Sequence, residues 1–207
     1  MKKVIIFLSV LFIFSCKDSE TTKIDFESEI SISEMVSYLP SHYKKEKSVY
    51  FVNDDQESKM LKISYLEGIE NKTHNGNNYV AETFEATLYD PNNQWFSIQM
   101  KASANYSNSG NEIVKSISAI LMPFNESGTT WASIKFENGV PKISLGDDFR
   151  ESVLLNNKEY KDVFITIGKQ GDVQHEAYSE LDINSEVGVV AFRDHNNDLW
   201  TFDRFEE

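Results

Sequence analysis

From Ser48 to the C-terminus the chain is a succession of short β-forming runs, and this rhythm constrains the fold more than any other feature. The runs are Ser48–Asn53, Met60–Leu66, Tyr79–Tyr89, Trp95–Met100, Ile113–Met122, Thr130–Phe136, Val153–Leu155, Val163–Ile167, Glu176–Ile183, Val187–Arg193 and Leu199–Phe202. They are rich in β-branched and aromatic residues, several alternate with period two, and Asn, Asp or Gly clusters separate them. No stretch between two runs has the length and periodicity of a crossover helix. Neighbouring strands must therefore be joined mainly as antiparallel hairpins. The expected fold is all-β: a single antiparallel β domain, a β-sandwich or a curved half-barrel, with a short N-terminal helix.

The helix is predicted over Ser31–Leu39. Ser31 can cap it, Glu34 is the reciprocal partner of a capping box, and Ile30 and Met35 can staple its entry. Pro40 ends it, because the residue before a proline is pushed out of the helical region. It should lie against one end of the β domain.

The closing strands are the most specific part of the pattern. Val187, Val189 and Ala191 alternate with Gly188, Val190 and Phe192, so this strand is apolar on both faces and belongs inside a sheet. Trp200 and Phe202 share one face of the next strand, while Thr201 and Asp203 share the other. The two should pair across the 193–198 turn with Trp200 buried. Trp95, Trp131 and Trp200 each sit in a strand-like run, which points to core packing. A partly exposed aromatic face would instead suit a sugar, lipid or protein ligand.

The N-terminus has a different character. Lys2 and Lys3 precede an apolar run, Val4–Phe14, interrupted only by Ser9. A run of that length makes a helix of only ~17 Å, too short for a bilayer core of ~30 Å. It fits the apolar region of a signal peptide. Ser15, a small residue, then precedes Cys16, the only cysteine in the chain. A small residue at the scissile bond followed by a thiol is what lipoprotein processing requires. Residues 1–15 are therefore read as a lipoprotein signal peptide and Cys16 as the lipidation site. Residues 16–30 form an acidic flexible tether carrying Asp18, Glu20, Asp25, Glu27 and Glu29, and residues 31–207 form the β-rich globular domain. A single cysteine allows no intramolecular disulfide. The formal charge of −13 argues against nucleic acid as a partner and against direct adhesion to anionic lipid.

Four segments carry a family resemblance: SCKDSE at Ser15–Glu20, YLP at Tyr38–Pro40 with VYFVNDDQESKMLKIS at Val49–Ser64, LNNKEYKDVF at Leu155–Phe164, and GVVAFRDHNNDLW at Gly188–Trp200. Together they resemble uncharacterised lipoproteins of Bacteroidota, especially of flavobacteria. The resemblance touches both ends of the mature chain and leaves Gly68–Leu154 uncovered. It implies a lipid-anchored protein of the outer membrane, on its cell-surface or periplasmic face, and it brings no activity with it. The family's closing turn usually contains glycine, where this chain has Asn196 and Asn197; asparagine tolerates the positive φ such a turn needs.

Motifs for chemistry are sparse. Asp194, Asn196 and Asp198 have the D-x-N-x-D spacing that opens a calcium loop, but Leu199 and Phe205 stand where its glycine and bidentate glutamate belong. A polar hairpin turn accounts for these three residues as well. His42, His74, His175 and His195 form no HExxH or other two-ligand spacing, and no G-x-S-x-G elbow is present. No catalytic residue and no cofactor is assigned. The expected function is a non-enzymatic binding or accessory module of the cell envelope, held to the membrane through its lipid, with an envelope protein, glycan or lipid as ligand. The alternative is a hydrolase of envelope or extracellular polymer using two acidic residues. A cleft with two carboxylates, one of raised pKa, would favour the hydrolase; a concave apolar surface without such a pair would favour the binding module.

Overall fold

A computed structural model describes residues 27–33, 35, 40, 42–108, 110–122, 130–137, 140–142, 147–169, 178–194 and 196–207. Residues 1–26, and with them the signal segment and Cys16, lie outside the described residues. The elements are β1 (Glu29–Ile30), α1 (His42–Lys45), β2 (Ser48–Val52), β3 (Ser58–His74), β4 (Asn77–Asp90), β5 (Asn93–Tyr106), β6 (Ile113–Met122) and β7 (Thr130–Glu137). They continue as β8 (Val140–Lys142), β9 (Asp147–Leu155), β10 (Lys158–Lys169), β11 (Tyr178–Asn184), β12 (Gly188–Arg193) and β13 (Leu199–Glu206).

The fold is all-β, and the strands form one sheet. In hydrogen-bonded order it runs β8-β7-β6-β5-β4-β3-β2-β13-β12-β11-β10-β9, with β1 added in parallel to β4. Nearly every neighbour is a sequence neighbour, as short hairpin connections dictate. The exception is β13, which returns beside β2 and so joins the two halves of the chain in mid-sheet. The sheet is not closed, since β8 and β9 are its two ends. Yet β7 and β10 pack against one another, so the ends curl together. The result is one open, strongly curved antiparallel sheet, as the all-β expectation has it.

Turn chemistry sets the hairpins. Asn75 and Gly76 at the β3–β4 tip have φ of 49° and 81°, and Asn156 and Asn157 between β9 and β10 have 47° and 62°. Two successive positive φ values make the tight turn whose twist matches that of the flanking strands. In the DPNN turn the Asp90 carboxylate accepts the Asn92 backbone N–H at 2.8 Å. The predicted closing hairpin is present: Ala191, Phe192 and Arg193 pair with Thr201, Trp200 and Leu199. Val189, Val190, Ala191 and Phe192 are fully buried, and Trp200 and Phe202 are each 6% exposed. Thr201 is buried as well, so its face of β13 is also covered, while Asp203 is exposed.

The expected Ser31–Leu39 helix is described only at Ser31, Ile32, Ser33 and Met35, where the Ser31 hydroxyl accepts the Ser33 N–H at 3.2 Å. Ser33 and Met35 are in a 3₁₀ turn, with the Met35 N–H donating to Ile32 O at 2.8 Å. Glu34 and residues 36–39, which would complete the capping box and the helix, lie outside the described residues. The described helix is α1, one turn long and beyond Pro40. The staple pair Ile30 and Met35 are both buried, but in the core of the sheet. Burial of Ile30 also draws the last residues of the acidic stretch, Glu29 and Ile30, into β1.

Tyr43 of α1 plugs the sheet beside β12, where its hydroxyl accepts the Val189 N–H at 3.0 Å. Gly188 makes room for it: a Cβ there would lie 2.3 Å from the Tyr43 hydroxyl oxygen and 2.8 Å from Pro40, at a φ of +78°. Gly188→Ala should therefore lower stability by at least ~2 kcal/mol, from overpacking plus left-handed strain. The shift of a urea denaturation midpoint measures it.

The β3–β4 ribbon decides where a ligand can sit. Its pairing keeps one register from Lys62↔Tyr89 to His74↔Asn77, but its buried face changes halfway. Near β2 the inward residues are Leu61, Ile63 and Tyr65 with Phe84, Ala86 and Leu88; nearer the tip they are Lys72 and His74 with Tyr79 and Ala81. The pairing of β4 with β5 stops at Phe84↔Ala102, and β1 takes up β4 from there, at Val80 and Ala81. The outer half of the ribbon thus leaves the sheet and leans over β5, where the Lys72 ammonium donates to Ala104 O at 3.0 Å and the Asn105 side chain at 2.8 Å.

Candidate functional site

Where the ribbon parts from the sheet, a cleft of about 590 Å³ opens between it and the segment leading into α1. That volume lies within the ~300–1,000 Å³ of small-molecule sites. Tyr65, Glu67 and Ile69 of β3 line one wall with Glu82 and Phe84 of β4; Ile32, Ser33, Pro40 and Lys44 line the other. The register explains the first wall, since Glu67 faces Phe84 and Ile69 faces Glu82, and directly paired residues share a face. The second wall is held by Glu82, whose carboxylate accepts the Ser31 hydroxyl at 2.6 Å and the Ile32 N–H at 3.0 Å.

The charged groups of the cleft are engaged with one another. Glu67 accepts the Tyr65 hydroxyl and pairs with the Lys44 ammonium, which also lies 5.3 Å above the Tyr65 ring. The Lys44 and Tyr65 hydrogen bonds hold the Glu67 carboxyl below its ordinary range. The bond to Glu67 raises the pKa of Lys44. Burial, with Glu67 beside it, pushes the Tyr65 hydroxyl up to about 12. At neutral pH the triad is a carboxylate, an ammonium and a neutral phenol, with no group poised to exchange a proton. Ile69 stands on the lip with its side chain in water, 69% exposed.

The carboxyl that is raised lies elsewhere. Asp182 is 2% exposed, and burial with Glu180 nearby pushes its pKa up to about 8 against the pull of Arg193. It sits in register between Ile165 and Ala191, inside the sheet and away from the cleft. Asp182 therefore supplies no raised carboxyl to the cleft.

The proposed calcium-loop residues are placed in the 194–198 turn, but in different roles. Asp194 is buried and Asn196 and Asp198 are exposed. Asp194 Oδ1 accepts the backbone N–H groups of Asn196 and Asp198 at 3.0 and 3.3 Å. Its Oδ2 accepts the Trp200 indole N–H at 2.8 Å and the Lys59 ammonium at 3.2 Å. Burial alone would raise its pKa, but these donors outweigh it and hold the carboxyl low. Lone pairs already directed at N–H donors, one of them cationic, are not arranged for a metal ion. Lys59 also lies 4.0 Å from the Trp200 ring centroid and within 6 Å of those of Phe96 and Phe192, a cation–π cluster closing this end of the core. Among the described residues no group of three His, Cys, Asp or Glu side chains gathers to hold a metal.

Of the histidines, His42 stacks on Phe205 and His74 on Tyr106, each at 4.9 Å; His175 and His195 lie outside the described residues. So do the side chains of Trp95 and Trp131. No cleft residue was a candidate from sequence. The signal available was the step Tyr65-Glu67-Ile69, a period-two run that continues past Leu66. No known protein family, curated protein or solved structure matches the chain.

Proposed function

We propose that the chain is a lipid-anchored, non-enzymatic binding module of the bacterial outer membrane, tethered through Cys16, with the cleft beneath the β3–β4 ribbon as its ligand site. The observation that carries the binding role is the cleft itself. It is concave, walled by Ile32, Pro40, Ile69 and Phe84, and its ionised groups are already paired. Such a site can hold a molecule, and the acids and bases that line it among the described residues are already engaged.

The entry of the chain supports the pairing of anchor and cleft. β1 runs parallel to β4, so the residues before Glu29 head toward the β3–β4 tip. Glu27 is already there, its N–H donating to the Tyr106 hydroxyl at 2.7 Å. The described chain therefore enters the body at the tip of the ribbon whose base forms the cleft.

Cys16→Ala tests the anchored role. The variant should leave the membrane fraction and appear in the soluble fraction. Its melting temperature should be unchanged, because among the described residues the core begins at Ile30, well beyond Cys16. A variant that stays with the membrane contradicts the reading.

A further inference from the structure

We infer that the cleft takes one single-chain amphiphile with an uncharged or zwitterionic head group; this rests on the binding role above and names its ligand class. The apolar part of the inference comes from Ile69 and Phe84 on one wall and Ile32 and Pro40 on the other. Ile69 is held in water on a paired strand, with no described side chain covering it. An apolar chain lying along the cleft would cover it.

The head group follows from charge. Among the described residues Lys44 is the cation lining the cleft, and Glu67 and Glu82 both line it too. The lining is therefore net negative, and the chain as a whole carries −13. A free fatty acid or another anionic lipid would meet repulsion both at the site and over the surface. A neutral or zwitterionic head can instead receive hydrogen bonds from Lys44, which is partly exposed, and donate to the carboxylates.

Ile69 and Leu66 give a matched pair of variants. Both are exposed, at 69% and 65%, so neither substitution should unfold the chain. They stand on opposite faces of β3, and only Ile69 lines the cleft. The full chain carrying Cys16→Ser, which leaves no attached lipid to compete, is titrated with the neutral dye N-phenyl-1-naphthylamine. Binding should saturate at one site. Ile69→Glu should weaken it roughly tenfold or more, as expected for losing a buried isoleucine contact, and Leu66→Glu should leave it unchanged. Monomyristoylglycerol and lysophosphatidylcholine, below their micellar concentrations, should displace the dye at lower concentration than myristate. Equal or better displacement by myristate would overturn the head-group assignment. Absence of saturable binding, or equal effects of the two variants, would overturn the lipid ligand. Ile69-sensitive binding of a soluble oligosaccharide, without dye binding, would overturn the ligand class and leave the binding role standing.

Discussion

Trp200→Ala should destabilise the fold by ~3–5 kcal/mol, at the upper end of that range for a large-to-small core change. The ring is 6% exposed on the face that β13 turns to the core. Three things go with it. The first is the packing of the indole itself. The second is its N–H bond to Asp194, which leaves a buried carboxylate one donor short. The third is the ring beneath the Lys59 ammonium. Trp200→Phe narrows the loss, since it keeps an aromatic face and removes the N–H with the smaller part of the ring. It should cost about 1.5–3 kcal/mol, the range for a hydrogen bond to a charged group. Chemical denaturation of both variants measures this. An alanine variant as stable as the parent would show that the 194–198 turn does not close the core.

The second large effect is on pH. Asp182 titrates near its ordinary 3.8 when unfolded and at about 8 when folded. Between those values the folded state holds a proton that the unfolded state has released. Stability therefore falls as pH rises, by about 1.4 kcal/mol per unit for this group. Its contribution is fully present below pH ~4 and is lost by the time the pH passes about 8, a total of the order of 5 kcal/mol. Little softens the cost of ionisation: Asp182 Oδ1 has no hydrogen bond among the described residues, and Arg193, whose charge favours the carboxylate, is paired with Glu180 at 2.6 Å. Asp194, Glu67 and Glu70 have lowered pKa values and act in the opposite sense, giving stability that is lost as pH falls toward their folded values. The comparison with Asp182→Asn isolates the one group. The variant's advantage over the parent should widen by several kcal/mol between pH 5 and pH 9. Parallel stability curves for the two proteins across that range would contradict a buried, protonated Asp182.

The closing hairpin shows what was legible in the sequence. Val187–Phe192 and Leu199–Phe202 are local, strongly β-forming and joined by a turn with its own chemistry, and they pair as read. The middle strands were found but cut short. β3 runs on to His74 because the ribbon exchanges its buried face, and an exchange of faces erases the period-two signal that marks a strand. Glu70 and Lys72 sit among its half-buried residues because Glu70 pairs with both Lys72 and Lys101. The first half of β9, Asp147–Ser152, is polar because it edges the sheet. β1 and β8 have two and three residues, too few to show any period. Asp194 was visible as a motif, but its role depends on Lys59, which is brought to it from β3 across β2 and β13. The cleft was not visible at all. Its walls come from four separate segments, and no spacing in the chain brings Lys44 to Glu67 or Ser31 to Glu82.

The most direct test of the anchored module is the mass of the N-terminal peptide of the mature protein isolated from its own membrane. The peptide should begin at Cys16 and carry a diacylglyceryl group on the thiol. A peptide that begins at another residue, or one with a free thiol at Cys16, would contradict it.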